Sequence, residues 1–229
     1  FFIQYVKEHL MLTFYTTSKE VGGDLYDFYM DGNHLYFLIG DVSGKGVPAS
    51  LFMAITRSLF RTLSQHVLSP AKIVTEMNNS ISDNNESNMF VTLIVGILDL
   101  ETGILKLCNA GHNPPILIYP DGQVSYLEFK TQIFVGVVED FKYSDEEVVL
   151  EKESKLFLYT DGVTEAENIN KELYGEEKLL EMLSDNASSD VRTTVNVVVD
   201  SIASHVKEAE ASDDLTILLI QYEPGTANS

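Results

Sequence analysis

The chain has 229 residues and is 45% apolar, which is enough to form a complete hydrophobic core. Its 35 acidic residues against 15 basic ones give a formal charge of -20, which disfavours nucleic acid and anionic lipid as partners because no local basic stripe opposes it. No apolar run is long enough to cross a membrane and no signal peptide opens the sequence, so we expect no direct membrane contact by this fragment.

One domain over residues 1–229 is the simplest interpretation, because no repeat or low-complexity linker interrupts the chain. The chain opens on Phe1-Phe2 without a methionine, which indicates a C-terminal fragment of a longer signalling protein whose other parts could hold a membrane anchor. The single cysteine, Cys108, lies in an apolar alternating stretch and cannot form an internal disulfide. We interpret it as a core residue, and we expect a cytoplasmic, reducing location.

The predicted elements alternate between apolar strands joined by short turns and amphipathic helices. In chain order they are strands over 25–30 and 35–40, helices over 48–63 and 70–81, strands over 90–98, 104–108, 116–119, 124–127 and 156–159, a helix over 191–206, and a strand over 215–220. Pro48, Ser69-Pro70 and Asp190 open the three helices. Short strand connections favour antiparallel neighbours, so we predict an α+β fold of antiparallel sheet flanked by helices.

The turn between the first two strands predicts a pair of facing carboxylates. If Gly32-Asn33 forms a two-residue hairpin turn, the register of the two strands places Asp24 opposite Asp41. Carboxylates in such a position have Cβ atoms about 5 Å apart and destabilise a sheet unless a proton or a cation intervenes. A hard divalent cation, which prefers carboxylate and carbonyl oxygens, removes the conflict.

Further acidic residues lie where other predicted strands meet loops. Asp161 follows the strand over 156–159, and Asp213-Asp214 precede the strand over 215–220. Each aspartate by itself is ordinary turn chemistry, but several at strand ends beside glycines, such as Gly23 and Gly162, favour a carboxylate metal site. Asp213 is preferred over Asp214 as the residue that points into it.

Two divalent ions held by such a site would activate water and neutralise a transferring phosphoryl group, so phosphate-ester hydrolysis is the expected chemistry. A nucleotide-binding loop is not expected around Lys45, because Ser43-Gly44-Lys45-Gly46 lacks the spacing between glycines and the hydroxyl residue that this motif requires.

Six sequence segments, taken in chain order, form a recognisable set of motifs. They are Glu20-Val21-Gly22-Gly23-Asp24-Leu25-Tyr26-Asp27, Gly40-Asp41-Val42-Ser43-Gly44-Lys45-Gly46-Val47-Pro48-Ala49, Met89-Phe90-Val91-Thr92, Asn109-Ala110-Gly111-His112-Asn113-Pro114-Pro115, Leu158-Tyr159-Thr160-Asp161-Gly162-Val163-Thr164-Glu165 and Ser212-Asp213-Asp214-Leu215-Thr216. Together they resemble the PPM-type metal-dependent protein phosphatases, and among them the bacterial SpoIIE-type branch that acts in partner switching and sigma-factor regulation. The resemblance spans nearly the whole chain.

The resemblance implies an αββα sandwich, in which two largely antiparallel sheets pack face to face between helix pairs. It implies hydrolysis of phosphoserine or phosphothreonine on a partner protein, such as a small anti-sigma-factor-antagonist domain, by metal-activated water. It also implies two Mn²⁺ or Mg²⁺ ions. The metal and catalytic roles carried over fall on the residues Asp24, Asp41, Asp161 and Asp213, with the main-chain carbonyl of Val42 as a further metal ligand.

Two questions stay open at the level of sequence. His112 is a candidate proton donor to the leaving group, although a histidine in a Gly-His-Asn-Pro-Pro turn more often orders its loop. The function also has an alternative, a catalytically silent module of the same fold that only binds a partner. A homodimer is compatible with the sequence, but no heptad pattern predicts one.

Overall fold

In a computed structural model of the chain, the structure describes residues 10–17, 22–83, 85, 88–209 and 213–223 and the main chain of residues 2–7. The motif residues Glu20, Val21 and Ser212 lie outside these ranges. None of the helices in the described ranges has both the length and the apolar character that a membrane crossing requires.

Eleven strands and four α-helices are formed by the described residues. The strands are β1 (Phe2–Lys7), β2 (Leu10–Thr17), β3 (Asp24–Asp31), β4 (His34–Val42), β5 (Val91–Asp99), β6 (Ile104–Ala110), β7 (Ile116–Ile118), β8 (Val124–Tyr126), β9 (Glu146–Val149), β10 (Lys155–Tyr159) and β11 (Leu215–Tyr222). The helices are α1 (Val47–Leu63), α2 (Pro70–Ser82), α3 (Glu176–Asp185) and α4 (Val191–Val206), and a 3₁₀ turn covers Asp161–Val163.

The chain divides into two compact units, each with one sheet and one helix pair. Unit 1 comprises residues 1–19, 115–127 and 150–229, and its sheet has the strand order β1-β2-β11-β10-β7-β8. Unit 2 comprises residues 20–114 and 128–149, and its sheet has the order β3-β4-β5-β6-β9. All ladders between these strands are antiparallel, as the short connections predicted. The single domain over 1–229 stays a prediction.

Helices α1 and α2 cover the sheet of unit 2. Proline stands in the first turn of both, where its missing N–H is no loss, and the Ser69 hydroxyl accepts a hydrogen bond from the Lys72 N–H at 3.2 Å. The inner faces of the helices, with Phe60 and Met77 fully buried, pack with strand residues such as Val95 into one apolar cluster. Both predicted helices are therefore confirmed. Helix α2 begins at Pro70 as predicted, and α1 begins at Val47, one residue before the predicted start.

Helix α4 has the predicted cap and the predicted face in unit 1. The Asp190 carboxylate accepts hydrogen bonds from the N–H groups of Arg192 and Thr193, both at 3.0 Å. The apolar residues at helical spacing are fully or almost fully buried; they are Val191, Val195, Val198 and Ile202. The N-terminal end of α4 is also held through the buried Lys155, whose ammonium donates to the carbonyl oxygens of Ala187 and Ser189.

Helix α3 and strands β1, β2 and β9 were not predicted from the sequence. Helix α3 begins after Gly175, which supplies no side-chain cap, and buries only Leu179 and Leu183, so its signal is short. Strand β9 is a four-residue edge strand of sequence Glu-Glu-Val-Val, too brief for a clear period.

Candidate metal centre

Asp24 and Asp41 lie directly opposite each other in the β3–β4 ladder, which confirms the predicted register. The hairpin closes through Gly32 and Asn33, and Gly32 adopts a positive φ of 57° that suits glycine in such a turn. Because directly opposite residues project from the same face of a sheet, the two carboxylates share one face at the end of the hairpin away from the turn.

The oxygen atoms around Gly23 converge on this end of the hairpin. The Val42 N–H donates to the Gly23 carbonyl at 3.2 Å, and Val42 is almost completely buried. A Cβ atom on Gly23 would lie 2.8 Å from the Val42 carbonyl oxygen and 3.0 Å from Oδ1 of Asp41, with the Gly44 oxygen at 3.5 Å. Glycine therefore keeps open a space bordered by one carboxylate and two carbonyl oxygens. This is the donor chemistry that Mg²⁺ or Mn²⁺ requires.

The chain beyond Val42 is fastened to the segment before β5. The Ser43 N–H donates to the Phe90 carbonyl at 2.8 Å, and the Ser43 hydroxyl accepts from the Phe90 N–H at 2.9 Å. These two bonds fix the peptide on one side of the Val42 carbonyl, while the ladder with Val91 fixes the other. We call Asp24, Asp41 and Val42 the unit 2 cluster.

Asp161 and Asp213 lie at neighbouring strand ends in unit 1. The end of β10 is joined to the start of β11 by the Thr160 N–H, which donates to the Thr216 carbonyl at 3.0 Å, and by the Thr216 N–H, which donates to the Thr160 hydroxyl at 3.1 Å. A Cβ atom on Gly162 would lie 1.8 Å from the carbonyl oxygen of Asp214, so only glycine permits this approach. We call Asp161 and Asp213 the unit 1 cluster.

Glu165 is a further acidic residue of this part of unit 1, and its role was not predicted from the sequence. Its pKa is raised, first by partial removal from water and then by the charges of Asp161 and Asp213. Its N–H donates to the Asp161 carbonyl at 2.7 Å, within the 3₁₀ turn that Asp161 opens. The spacing of four residues from Asp161 is the sequence signal that could have identified it. The Asp213 carboxylate accepts from the Asp214 N–H at 2.9 Å.

Asp24 and Asp41 lie in unit 2, and Asp161 and Asp213 lie in unit 1. Within the described ranges, no three side chains of His, Cys, Asp or Glu form a group that could hold a metal ion. The donor sets are nevertheless of the expected kind, because both consist of oxygen atoms at glycine-lined strand ends.

His112 is buried in unit 2, with 4% of its surface exposed. Its Nδ1 lies 3.0 Å from the Thr92 hydroxyl, and its N–H and carbonyl bond the side chain of Asn109. The main-chain contacts support the interpretation that His112 orders its loop, and the ring contacts the Thr92 side chain.

The fold of the chain is that of solved bacterial PP2C domains. The SiaA-PP2C domain of Pseudomonas aeruginosa matches with a TM-score of 0.81 over 92% of this chain and 86% of that chain, at 21% identity. The structure of the RsbU and RsbW domains of Rv1364c from Mycobacterium tuberculosis matches with a TM-score of 0.81 over 96% of this chain and 61% of that chain, at 23% identity. This likeness confirms the predicted α+β sandwich fold.

The sequence itself defines the family. The sequence model of the family described as Stage II sporulation protein E (SpoIIE) matches residues 31–223, and the chain belongs to this family, as the resemblance predicted. The matched range contains Asp41, Val42, Asp161 and Asp213, whereas Asp24 precedes it.

Curated relatives are longer than this chain. It is 27% identical to the protein IcfG of a Synechocystis species over 89% of its own length, and 26% identical to the phosphoserine phosphatase RsbU of Bacillus subtilis over 89%. The phosphoserine phosphatase RsbP of Bacillus subtilis is 28% identical over 92% of this chain. The chain spans 36%, 60% and 52% of these three proteins, respectively.

Proposed function

We propose that this chain is a metal-dependent protein phosphatase that hydrolyses phosphoserine or phosphothreonine on a partner signalling protein. The observation that carries the proposal is the Asp24–Asp41 register, which brings two carboxylates together beside the Val42 carbonyl. Two relatives bear the name phosphoserine phosphatase, which supports the same reaction class for this chain.

The metal ligands we propose are the carboxylates of Asp24, Asp41, Asp161 and Asp213 and the main-chain carbonyl of Val42. They would hold two Mn²⁺ or Mg²⁺ ions. When bound, the ions would activate water as a nucleophile and neutralise charge on the phosphoryl oxygens. The glycines beside the aspartates leave room for close approach of a ligand to the main chain.

The substrate we propose is a small phosphorylated protein domain of the anti-sigma-factor-antagonist type, and the process is partner switching in the cytoplasm. The formal charge of -20 suits a protein partner with complementary charge and disfavours nucleic acid. The membership in the SpoIIE family supports a place in sigma-factor control. The parent protein would carry further segments, because the relatives extend well beyond the matched region.

The experiment is hydrolysis of a phosphoserine protein substrate with and without Mn²⁺. We expect phosphate release that stops on chelation and that falls by more than about 100-fold in Asp41→Asn. The loss of a residue that only hydrogen-bonds a metal ligand already lowers metal affinity or activity by about 10- to 100-fold. Asp121→Asn is the matched control, because Asp121 is an exposed turn aspartate whose carboxylate accepts a hydrogen bond from the nearby Gln123 N–H.

Two outcomes would contradict the proposal. Hydrolysis that survives chelation unchanged would exclude the metal mechanism. Binding of the phosphorylated partner without any Mn²⁺ uptake in calorimetry would favour the silent binding module.

A further inference from the structure

A row of polar residues crosses the sheet of unit 2 at the unit 2 cluster. Asp24 of β3 lies opposite Asp41 of β4, and Asp41 lies opposite Thr92 of β5. Because opposite residues share a face, the Thr92 side chain stands beside the two carboxylates on the same side of the sheet. The row thus continues past the carboxylates to a hydroxyl that the proposed function does not use.

The Thr92 hydroxyl joins Asp41 to His112. It lies 3.5 Å from the Asp41 carbonyl oxygen, to which it can only donate, and 3.0 Å from Nδ1 of His112. Since a hydroxyl has one proton, donation to Asp41 requires that the hydroxyl accept a hydrogen bond from His112. The ring tautomer with the proton on Nδ1 satisfies both contacts.

The His112 ring is fixed by its own loop. The Asn109 side chain accepts from the His112 N–H at 2.8 Å and donates to the His112 carbonyl at 3.0 Å, and both residues are buried. Gly111 between them has a φ of 80°, and the Phe134 ring occupies the place of its missing Cβ atom. The Asn-Ala-Gly-His segment therefore presents the imidazole to Thr92 in one orientation.

We propose that His112 and Thr92 are positioning residues for the unit 2 cluster. The imidazole orients the Thr92 hydroxyl, and this hydroxyl holds the Asp41 main chain in place for cation binding. The inference rests on the proposed function of Asp41 as a metal ligand. The exposure of His112, 4%, suits a residue that acts through Thr92 and leaves little of the ring to meet a substrate. Outer-sphere partners of this kind tune the affinity of a site for its metal.

The test measures Mn²⁺ affinity by calorimetry in Thr92→Val, His112→Leu and the double variant, together with the Mn²⁺ dependence of hydrolysis. Each single change should weaken Mn²⁺ binding by roughly 10- to 100-fold, and the double change should weaken it no further, because both break one chain of contacts. His112→Asn, which keeps a donor near the position of Nδ1, and Thr92→Ser, which keeps the hydroxyl, should restore affinity. The KM for the phosphorylated substrate at saturating Mn²⁺ should not change.

The outcomes separate this inference from the proposed function. If the wild-type chain takes up no Mn²⁺, the proposed function fails. If it does, unchanged Mn²⁺ affinity in folded Thr92→Val overturns the inference, and so does a His112→Leu variant that loses kcat at saturating Mn²⁺ while Thr92→Val keeps it. Circular dichroism identifies a variant that does not fold, and Thr92→Val, which has nearly the shape of the native residue, decides the question if His112→Leu unfolds.

Discussion

Asp24 and Asp41 face each other across β3 and β4, at the end of the sheet where the Gly23 main chain leaves space beside oxygen atoms. Two like charges in this position favour cation binding in the folded state only. We therefore expect Mn²⁺ to stabilise the protein by about 2.7 kcal/mol at a free concentration of 100 times its Kd.

Asp24→Asn and Asp41→Asn should lose this stabilisation. The measurement is the thermal unfolding midpoint during a Mn²⁺ titration, with Asp121→Asn as the control that should respond like wild type. If Mn²⁺ raises the unfolding midpoint of Asp41→Asn as much as that of the wild-type protein, the ion binds elsewhere.

Gly23 and Gly162, which lie beside the unit 2 and unit 1 clusters, should differ in how much stability the protein loses when a single methyl group is added. Gly162→Ala should damage the protein more than Gly23→Ala, because its Cβ atom would meet the Asp214 main chain at 1.8 Å, whereas that of Gly23 would lie 2.8 Å from the Val42 oxygen. We expect Gly23→Ala to fold and to bind Mn²⁺ more weakly. Urea unfolding and calorimetry measure the two effects, and a Gly23→Ala variant with wild-type affinity would remove Gly23 from the site.

Asp27 anchors α1 to β3, three residues along the strand from Asp24. Asp27 is 3% exposed, and its carboxylate accepts hydrogen bonds from both Arg57 and Arg61. Arg61 also donates to the Phe28 carbonyl. Asp27→Ala breaks the charged hydrogen bonds to both arginines at once, so we expect it to be the most damaging change and to reduce the free energy of unfolding by about 3 kcal/mol.

Arg57→Ala should cost about 1 kcal/mol, because Arg57 is half exposed and Arg61 still pairs with the buried Asp27 carboxylate. Arg61→Ala should lie between Arg57→Ala and Asp27→Ala, because Arg61 bonds both carboxylate oxygens of Asp27. Glu147→Gln, which breaks the exposed pair with Lys106, is the control and should be near neutral. Chemical denaturation ranks the four variants, and an Arg57→Ala loss as large as that of Asp27→Ala would contradict the assigned burial.

Cys108 is fully buried, and burial raises the pKa of its thiol to about 12. The thiol is therefore protonated and unreactive at neutral pH, as the core interpretation predicted. Because the folded-state pKa lies above the ordinary value of 9.0, the stability that the neutral thiol contributes is complete below pH 9 and is lost as pH rises towards 12.

The thiol prediction is checked by labelling with a disulfide reagent at pH 8. Native protein should react only through unfolding, and urea-unfolded protein should react at once. The stability loss above pH 9 should be smaller in Cys108→Ala after its overall destabilisation is subtracted. Rapid labelling of the native protein would show that Cys108 is accessible.

The local features of the fold were predictable because each is encoded within a few residues. The turn at Gly32-Asn33 sets the β3–β4 register by itself, and Asp190 and Ser69 cap their helices through neighbouring N–H groups. The short edge strand β9 and the weakly buried helix α3 escaped prediction, since few buried residues leave little periodicity to detect.

The sequence by itself determined the hairpin that pairs Asp24 with Asp41, because a two-residue turn leaves only one register. Only the tertiary structure decided that β11 lies between β2 and β10, which brings Asp213 to the strand end that carries Asp161, and that His112 reaches Thr92. Pairings between distant segments depend on the packing of whole sheets and helices. No local pattern of residues specifies them. The position of Asp213 at the strand end that carries Asp161, and the contact between His112 and Thr92, therefore follow only from the folded chain.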